Sequence, residues 1–221
     1  MIIGIGHKAR QGKDTAAEFL CNKYGFTIIH FADALYDECR NCTVLFNEFE
    51  NLFYLKYYDE DYYRFENPTE NMIDWIKMRG EQKLGIPFNS QWVYNGMKEK
   101  DGTILQFWGT EFRRRKVNWD YWVDKVKQVI EKDPKKNYVI PDTRFINEAQ
   151  FIKSAGGEVW KIIRHNYNQI DRDPSHKSEV DLDDWEFDEV IFNDGTIEDL
   201  FNKVDEVYQR RKKLYESKEN R

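Results

Sequence analysis

The sequence predicts an α/β fold with a five-stranded parallel sheet flanked by helices, and three observations lead there. Five short apolar runs each end in polar or charged residues. Helical stretches separate them in the alternation that builds parallel sheets. The first run leads at once into a glycine-bearing loop that opens a helix. That first run, Ile2-Ile3-Gly4-Ile5-Gly6, is almost continuously apolar, as a strand buried on both faces must be. A helix over about Ala16 to Tyr24 follows, with Phe19, Leu20 and Tyr24 on its apolar side and Gly25 as its stop.

Phe26-Thr27-Ile28-Ile29-His30-Phe31 gives the second strand, and Ala32-Asp33 opens a helical stretch expected from about Ala34 to Phe46. From Asn47 to about Lys100 the composition turns aromatic and acidic and no strand–helix alternation is legible. This segment is expected to be an insertion, partly helical from Thr69 to about Lys83, that packs on the ligand edge of the sheet or forms a lid. Its aromatics are expected mainly to fill a core.

Regularity returns at "TILQFWGTEFRRRKVNWDYWVDKVKQVIEKD", which predicts two helices broken near Val117 to Trp119 with a basic run at the break. "NYVIPDTRFINEAQFIKSAGGEVWKIIRH" then supplies a strand at Tyr138 to Pro141, a helix from about Asn147 to Ser154 and a strand at Val159 to Ile163. The last strand, Glu189 to Phe192, ends in Asn193-Asp194-Gly195, and a helix begins at Thr196. The expected organisation is a core of residues 1–46 and 101–212, an insertion at 47–100 and a fraying charged tail at 213–221.

The candidate chemistry starts at "GIGHKARQGKDT". A loop that opens into a helix aims free backbone N–H groups and the positive end of the helix dipole at one point, which suits a phosphate, and Lys13 adds a point charge there. The match to a phosphate-binding loop is degenerate. His7 stands where the first glycine belongs, which predicts a loop one residue longer starting from Gly6, and Asp14 replaces the usual serine or threonine. Asp33, Asp142, Arg144 and Arg164 lie just beyond predicted strand ends, the edge where open parallel sheets bind ligands. One arginine of Arg113-Arg114-Arg115-Lys116 is a further candidate, because transfer between two anions needs cationic screening.

Composition narrows the partners. A net charge of −6 disfavours a broad nucleic-acid surface, and with 33% charged residues and no apolar run of membrane length the expectation is a cytoplasmic protein acting on a small molecule. Cys21, Cys39 and Cys42 are an odd number of thiols, and the lone Cys39-x-x-Cys42 lacks the second pair a zinc site requires, so packed thiols on a helix are expected. His176-Lys177-Ser178-Glu179 sits in a polar stretch expected to be a solvated loop, with a mobile lid over the bound phosphate ligand as the functional alternative.

The ordered set Gly12-Lys13-Asp14-Thr15, Phe31-Ala32-Asp33, Leu105-Gln106 through Gly109-Thr110-Glu111, Tyr121-Trp122-Val123, Pro141-Asp142-Thr143-Arg144 and Asn193-Asp194-Gly195-Thr196 resembles the bacteriophage deoxynucleoside monophosphate kinases. The resemblance implies a P-loop kinase fold and transfer of the ATP γ-phosphate to a deoxynucleoside monophosphate. It implies Mg²⁺ held by Asp14, and ATP bound by Gly6, Ala9, Gln11, Gly12, Lys13, Asp14 and Thr15, with Asn193 and Asp194 beside the adenine. Asp33, Arg114 and Arg144 would meet the acceptor, Arg164 the nucleotide phosphates, and Lys13 with Asp33, Asp142 and the three arginines would form the catalytic set. Residence in the host cytoplasm follows if the gene is a phage's, and the base, the sugar preference and a homodimer stay open. The rival classes are a P-loop kinase of another phosphorylated metabolite and a nucleotide-binding protein or ATPase. The last usually sets a second acid beside the strand-end aspartate, where Thr143 stands here.

Overall fold

A computed structural model describes residues 1–58, 62–78, 81, 85, 91–165 and 177–219. The chain divides into two compact units, one of Met1–Phe31 with Val123–Arg221 and one of Ala32–Trp122. It opens with β1 (Ile2–Gly6), α1 (Lys13–Tyr24) and β2 (Thr27–Ile28). The second unit contains α2 (Asp33–Arg40), β3 (Cys42–Asn47), β4 (Leu52–Tyr57), β5 (Tyr63–Glu66), α3 (Glu70–Lys77), β6 (Gln91–Asn95), α4 (Gly102–Gln106) and a π-helical segment, Phe107–Val117. The first unit resumes at Val123, within α5 (Tyr121–Lys132), and continues with β7 (Tyr138–Thr143), α6 (Ile146–Ser154), β8 (Glu158–Ile163), α7 (Lys177–Val180), β9 (Glu189–Phe192) and α8 (Ile197–Glu219).

In the first unit five strands pair in the order β2-β7-β1-β8-β9, every pair parallel. The central strand β1 is buried along its whole length, which is why it carries no polar side chain. Ile3, Ile5, Val139, Trp160 and Ile162 from the sheet pack with Ala16, Ala17 and Leu20 of α1 and Leu200 and Val204 of α8. Each large apolar side chain removed from water here contributes about 1.5–3 kcal/mol. Because all strands run one way, their carboxyl ends fall on one edge, and the candidate residues of this unit lie at the end of β7, which runs two residues past the expected Pro141 and takes in Asp142, and in the segments that follow β1, β7, β8 and β9. The terminal helix α8 persists through Glu219, across most of the segment expected to fray. A Lys212–Glu216 pair one turn apart, at 3.8 Å, supports it there.

The second unit differs from expectation at its start. The helix expected to reach Phe46 ends at Arg40, and Cys42–Asn47 is a strand instead, with Cys42, Val44 and Phe46 buried and the residues between them half-buried. That period of two outweighs the weak helical spacing of the same residues. The segment without legible alternation supplies the rest of a four-stranded antiparallel sheet, β5-β4-β3-β6. Its core is aromatic, as expected: Trp75 stacks on Phe107 at 5.7 Å between ring centroids, and Trp92 on Tyr94 at 5.8 Å. The helix predicted to about Lys83 appears as α3 up to Lys77, and most of its expected last turn lies outside the described residues. Cys39 and Cys42 are free and buried, but on a helix and a strand respectively. Burial pushes the Cys42 thiol up to about 12 and holds both thiols protonated.

Candidate active site

The loop between β1 and α1 has the backbone a phosphate-binding loop needs. His7 has φ +82°, the half of conformational space that glycine favours, and its N–H donates to the Thr143 carbonyl at 3.1 Å, continuing the ladder between β1 and β7. The first-glycine position is therefore residue 7 itself. The expected extra residue in the loop is corrected: His7 accepts a backbone strain of about 1–3 kcal/mol and the spacing is kept. At the other end Gly12 has φ +97°, and a Cβ there would lie 2.5 Å from the Asn193 amide nitrogen, so only glycine fits. Gly12 gives the first turn of α1 no side-chain cap, which leaves the amides there to an outside acceptor.

Two other strand ends close on this loop. Asn193, after β9, donates its side-chain amide to the Gln11 carbonyl at 2.9 Å, and the Gln11 side-chain oxygen accepts from the Arg164 backbone N–H after β8. Arg164 itself is exposed. Asp194 is exposed too and accepts from the His165 backbone N–H at 2.8 Å and from the His165 ring Nδ1 at 2.7 Å, a pair that holds its carboxyl below the usual range. The predicted nucleotide residues Gly6, Ala9, Gln11, Gly12, Lys13, Asp14, Thr15 and Asn193 thus lie in or against one loop.

Lys13 is the electrostatic centre. Its side chain is buried and its Nζ donates back across the loop to the Lys8 carbonyl at 2.5 Å. Burial, and after it the charge of Arg144, lower its pKa to about 7, against the opposing influence of Asp14, Glu179 and Asp142. Asp14, Asp142 and Arg144, three of the predicted residues, thus act electrostatically on this ammonium. Asp142 also accepts from the Phe31 backbone N–H at 3.0 Å, which ties the end of β7 to the segment after β2. The turn after Asp142 is fixed by Glu148, whose carboxylate accepts from the Arg144 and Phe145 N–H groups at 2.7 and 3.1 Å.

Sequence reasoning missed two acids here. Glu179, on α7, is buried and accepts from the Ala9 N–H of the loop at 3.3 Å and from Nη1 of Arg144. Asp183 meets the ring Nε2 of His7 at 2.5 Å and Lys8 at 3.5 Å. The stretch expected to be a solvated loop is thus, from Lys177 onward, a helix that seats an acid on the loop, while His176 lies outside the described residues. No local pattern in "HKSEV" distinguishes a buried glutamate from an exposed one.

Asp33 and Arg114 belong to the second unit. Asp33 is the exposed first residue of α2. Arg114 lies on the π-helical segment, which ends at Val117 where the helix break is expected, and it is buried. Its Nη1 donates to the Trp119 carbonyl at 3.1 Å and its guanidinium lies 5.8 Å from the Trp119 ring. The neighbouring Arg113 is buried on a salt bridge to Glu38 at 2.6 Å, whereas Arg115 is exposed and pairs with Glu111 one turn away.

A five-stranded parallel sheet with its glycine–lysine loop running from the central strand into a helix defines the P-loop kinase fold. A model of the family described as deoxynucleotide monophosphate kinase matches residues 96–204. A protein of Acanthamoeba polyphaga mimivirus, provisionally named a deoxynucleotide monophosphate kinase, is 29% identical over 205 residues, 92% of this chain and 94% of the relative. The deoxynucleotide monophosphate kinase of Enterobacteria phage T4 is 23% identical over 240 residues, 92% of this chain and 96% of that relative. Among solved structures, dephospho-CoA kinase from Campylobacter jejuni is 14% identical with a TM-score of 0.48, covering 97% of this chain and 98% of its own. Over residues 96–204 the chain is thus similar to the deoxynucleotide monophosphate kinase family, and along nearly its whole length to relatives that carry that name. Among the described residues no helix is long and apolar enough to cross a membrane.

Proposed function

We propose that the protein transfers the γ-phosphate of ATP to a deoxynucleoside monophosphate, giving a deoxynucleoside diphosphate and ADP. The observation that carries this reading is the buried Lys13 in a loop of phosphate-binding geometry, with Arg144 and Asp142 from the next strand end acting on the same ammonium. Its relatives along nearly the whole chain carry names of that activity. The loop amides and Lys13 hold the donor phosphates, Arg164 supplements them, and Asn193 and Asp194 flank the adenine. Arg144 meets the acceptor phosphate, and on the second unit Asp33 and Arg114 are the proposed acceptor groups.

The acceptor oxygen is already anionic, so the chain needs no strong base. Its contribution is alignment for in-line displacement and cationic screening as charge spreads over the transferred group. The proposed metal is Mg²⁺. Asp14, exposed in the first turn of α1, offers a hard oxygen donor, and Asp142 supplies a second carboxylate acting on the same lysine. Among the described residues no cluster of three or more acidic, histidine or cysteine side chains exists to hold a metal outright. That suits an ion that keeps waters and takes phosphate oxygens. When bound, it would neutralise charge between the donor phosphates.

The test is ADP release from ATP and Mg²⁺ with each common deoxy- and ribonucleoside monophosphate in turn. Release that depends on a deoxynucleoside monophosphate is the expected result. Release without any acceptor would mark an ATPase, and release only with another phosphorylated metabolite would mark the rival kinase class.

A further inference from the structure

Glu179 has no place among the groups assigned above, yet its position is unusual for an acid. Its side chain is 1% exposed and its two oxygens face different elements: Oε2 accepts from the Ala9 N–H of the phosphate loop at 3.3 Å, and Oε1 meets Nη1 of Arg144. The same Nη1 lies 3.4 Å from the Ser178 carbonyl. Arg144 is therefore held at one corner of its guanidinium, and its Nε and Nη2 make no hydrogen bond among the described residues. The side chain is 19% exposed, against 1% for Glu179, so it is partly accessible to a ligand.

The grip is part of a wider attachment. Two further carboxylates flank it: Asp181 accepts from the Ile146 N–H at 2.9 Å, and Asp183 meets His7 at 2.5 Å. Residues 179, 181 and 183 thus tie the α7 region to both the phosphate loop and the turn after β7. A guanidinium on a flexible four-bond stem loses much rotamer freedom when it docks a phosphate, and prior fixation removes that cost from the binding step.

We propose that Glu179 is a positioning residue of the phosphoryl-transfer site, joining the phosphate loop to Arg144 so that the guanidinium is pre-aimed at the acceptor phosphate. This rests on the kinase reading above. Glu179→Gln is the informative change, because its amide oxygen can still accept from the Ala9 N–H while its NH₂ group opposes the Nη1 donor. Loop and donor binding should survive it, and aiming of Arg144 should not.

The experiment is a double-mutant cycle of Glu179→Gln and Arg144→Gln, read as KM and kcat for both substrates with the monophosphate the wild type uses best. In the wild-type background Glu179→Gln should raise the monophosphate KM about tenfold and move the ATP KM less than about threefold. In the Arg144→Gln background its effect should shrink to about twofold or less. The same factor in both backgrounds, or no effect in either, overturns the role. If Glu179→Gln does not fold, the cycle is run with Glu179→Asp, which keeps the charge but shortens the reach, and the same non-additivity is expected. A wild-type chain that uses no monophosphate defeats the kinase reading itself. An active wild type with an additive cycle defeats only the role of Glu179.

Discussion

The two units each bury a glutamate against an arginine, and the pairs differ in what they leave open. In the second unit Glu38 and Arg113 are both sealed, with side chains 2% and 1% exposed. Glu38 accepts from Trp108 Nε1 at 2.9 Å, Arg113 Nε at 2.6 Å and the Tyr121 hydroxyl at 2.5 Å. Phe112 and Tyr121 place ring centroids 4.8 Å from the guanidinium. In the first unit Glu179 is equally buried, but Arg144 is 19% exposed, with Nε and Nη2 making no hydrogen bond among the described residues, and the glutamate also grips a loop amide. The chemistry of the pairs is the same. Enclosure makes one a core element, and the Arg144 donors that make no hydrogen bond among the described residues suit the other to the proposed site.

Breaking the closed pair tests that contrast most severely. Arg113→Leu leaves a buried carboxylate facing only Trp108 and Tyr121, and is expected to cost about 3–5 kcal/mol of stability in urea denaturation. Adding Glu38→Gln removes the stranded charge while keeping an amide oxygen for both donors, and should recover about half of the loss. No recovery would mean that the arginine acts mainly by filling its aromatic cage.

Lys13→Ala breaks the open side. Turnover should fall by about a hundredfold or more, with the denaturation midpoint unchanged or raised, because a buried ammonium is removed and no buried acid is left without its principal partner. Loss of turnover accompanied by unfolding would assign Lys13 to the fold instead of the site.

The same contrast explains how much the sequence reveals. The five parallel strands and the loop are legible because their signals are local: an apolar run, a Gly-Lys pair, then a helix, within fifteen residues of the start. The conformation of His7 is not local, since its strain is held in place by the Thr143 carbonyl and Asp183. The antiparallel sheet went unread because the tyrosines and phenylalanines of "FYLKYYDEDYYRFE" mask the alternation. Asn51 and Asn67, at φ +49° and +51°, were turn signals beside its strands that could have exposed it. Glu179 was invisible for a simpler reason. Ala9 and Arg144, which it meets, stand 170 and 35 residues away, and nothing in a polar stretch records such contacts.

The smallest effect expected is also the most specific to Lys13. Its pKa in the ligand-free protein is about 7, lowered chiefly by burial and then by Arg144. The sign follows from linkage. An unfolded chain holds this proton up to the ordinary lysine range, so between pH 7 and about 10 the unfolded state binds more protons and the free fold gains stability as pH rises. Below pH 7 both states are protonated and the full cost of burying the charge is present. Nucleotide phosphates set against the ammonium favour its charged form and raise the pKa, so binding above pH 7 must take up a proton. Calorimetric titration of ATP at pH 8, where the nucleotide itself is fully ionised, should therefore show heats that vary with the ionisation enthalpy of the buffer, corresponding to uptake approaching one proton per site. The affinity should fall with pH from 7 to 9, by about tenfold per unit at most, and stay nearly flat below 7 apart from protonation of the nucleotide. Lys13→Met should abolish the buffer dependence. Heats independent of buffer in the wild type would mean that Lys13 is already charged when the site is empty, with Asp14, Glu179 and Asp142 outweighing its burial.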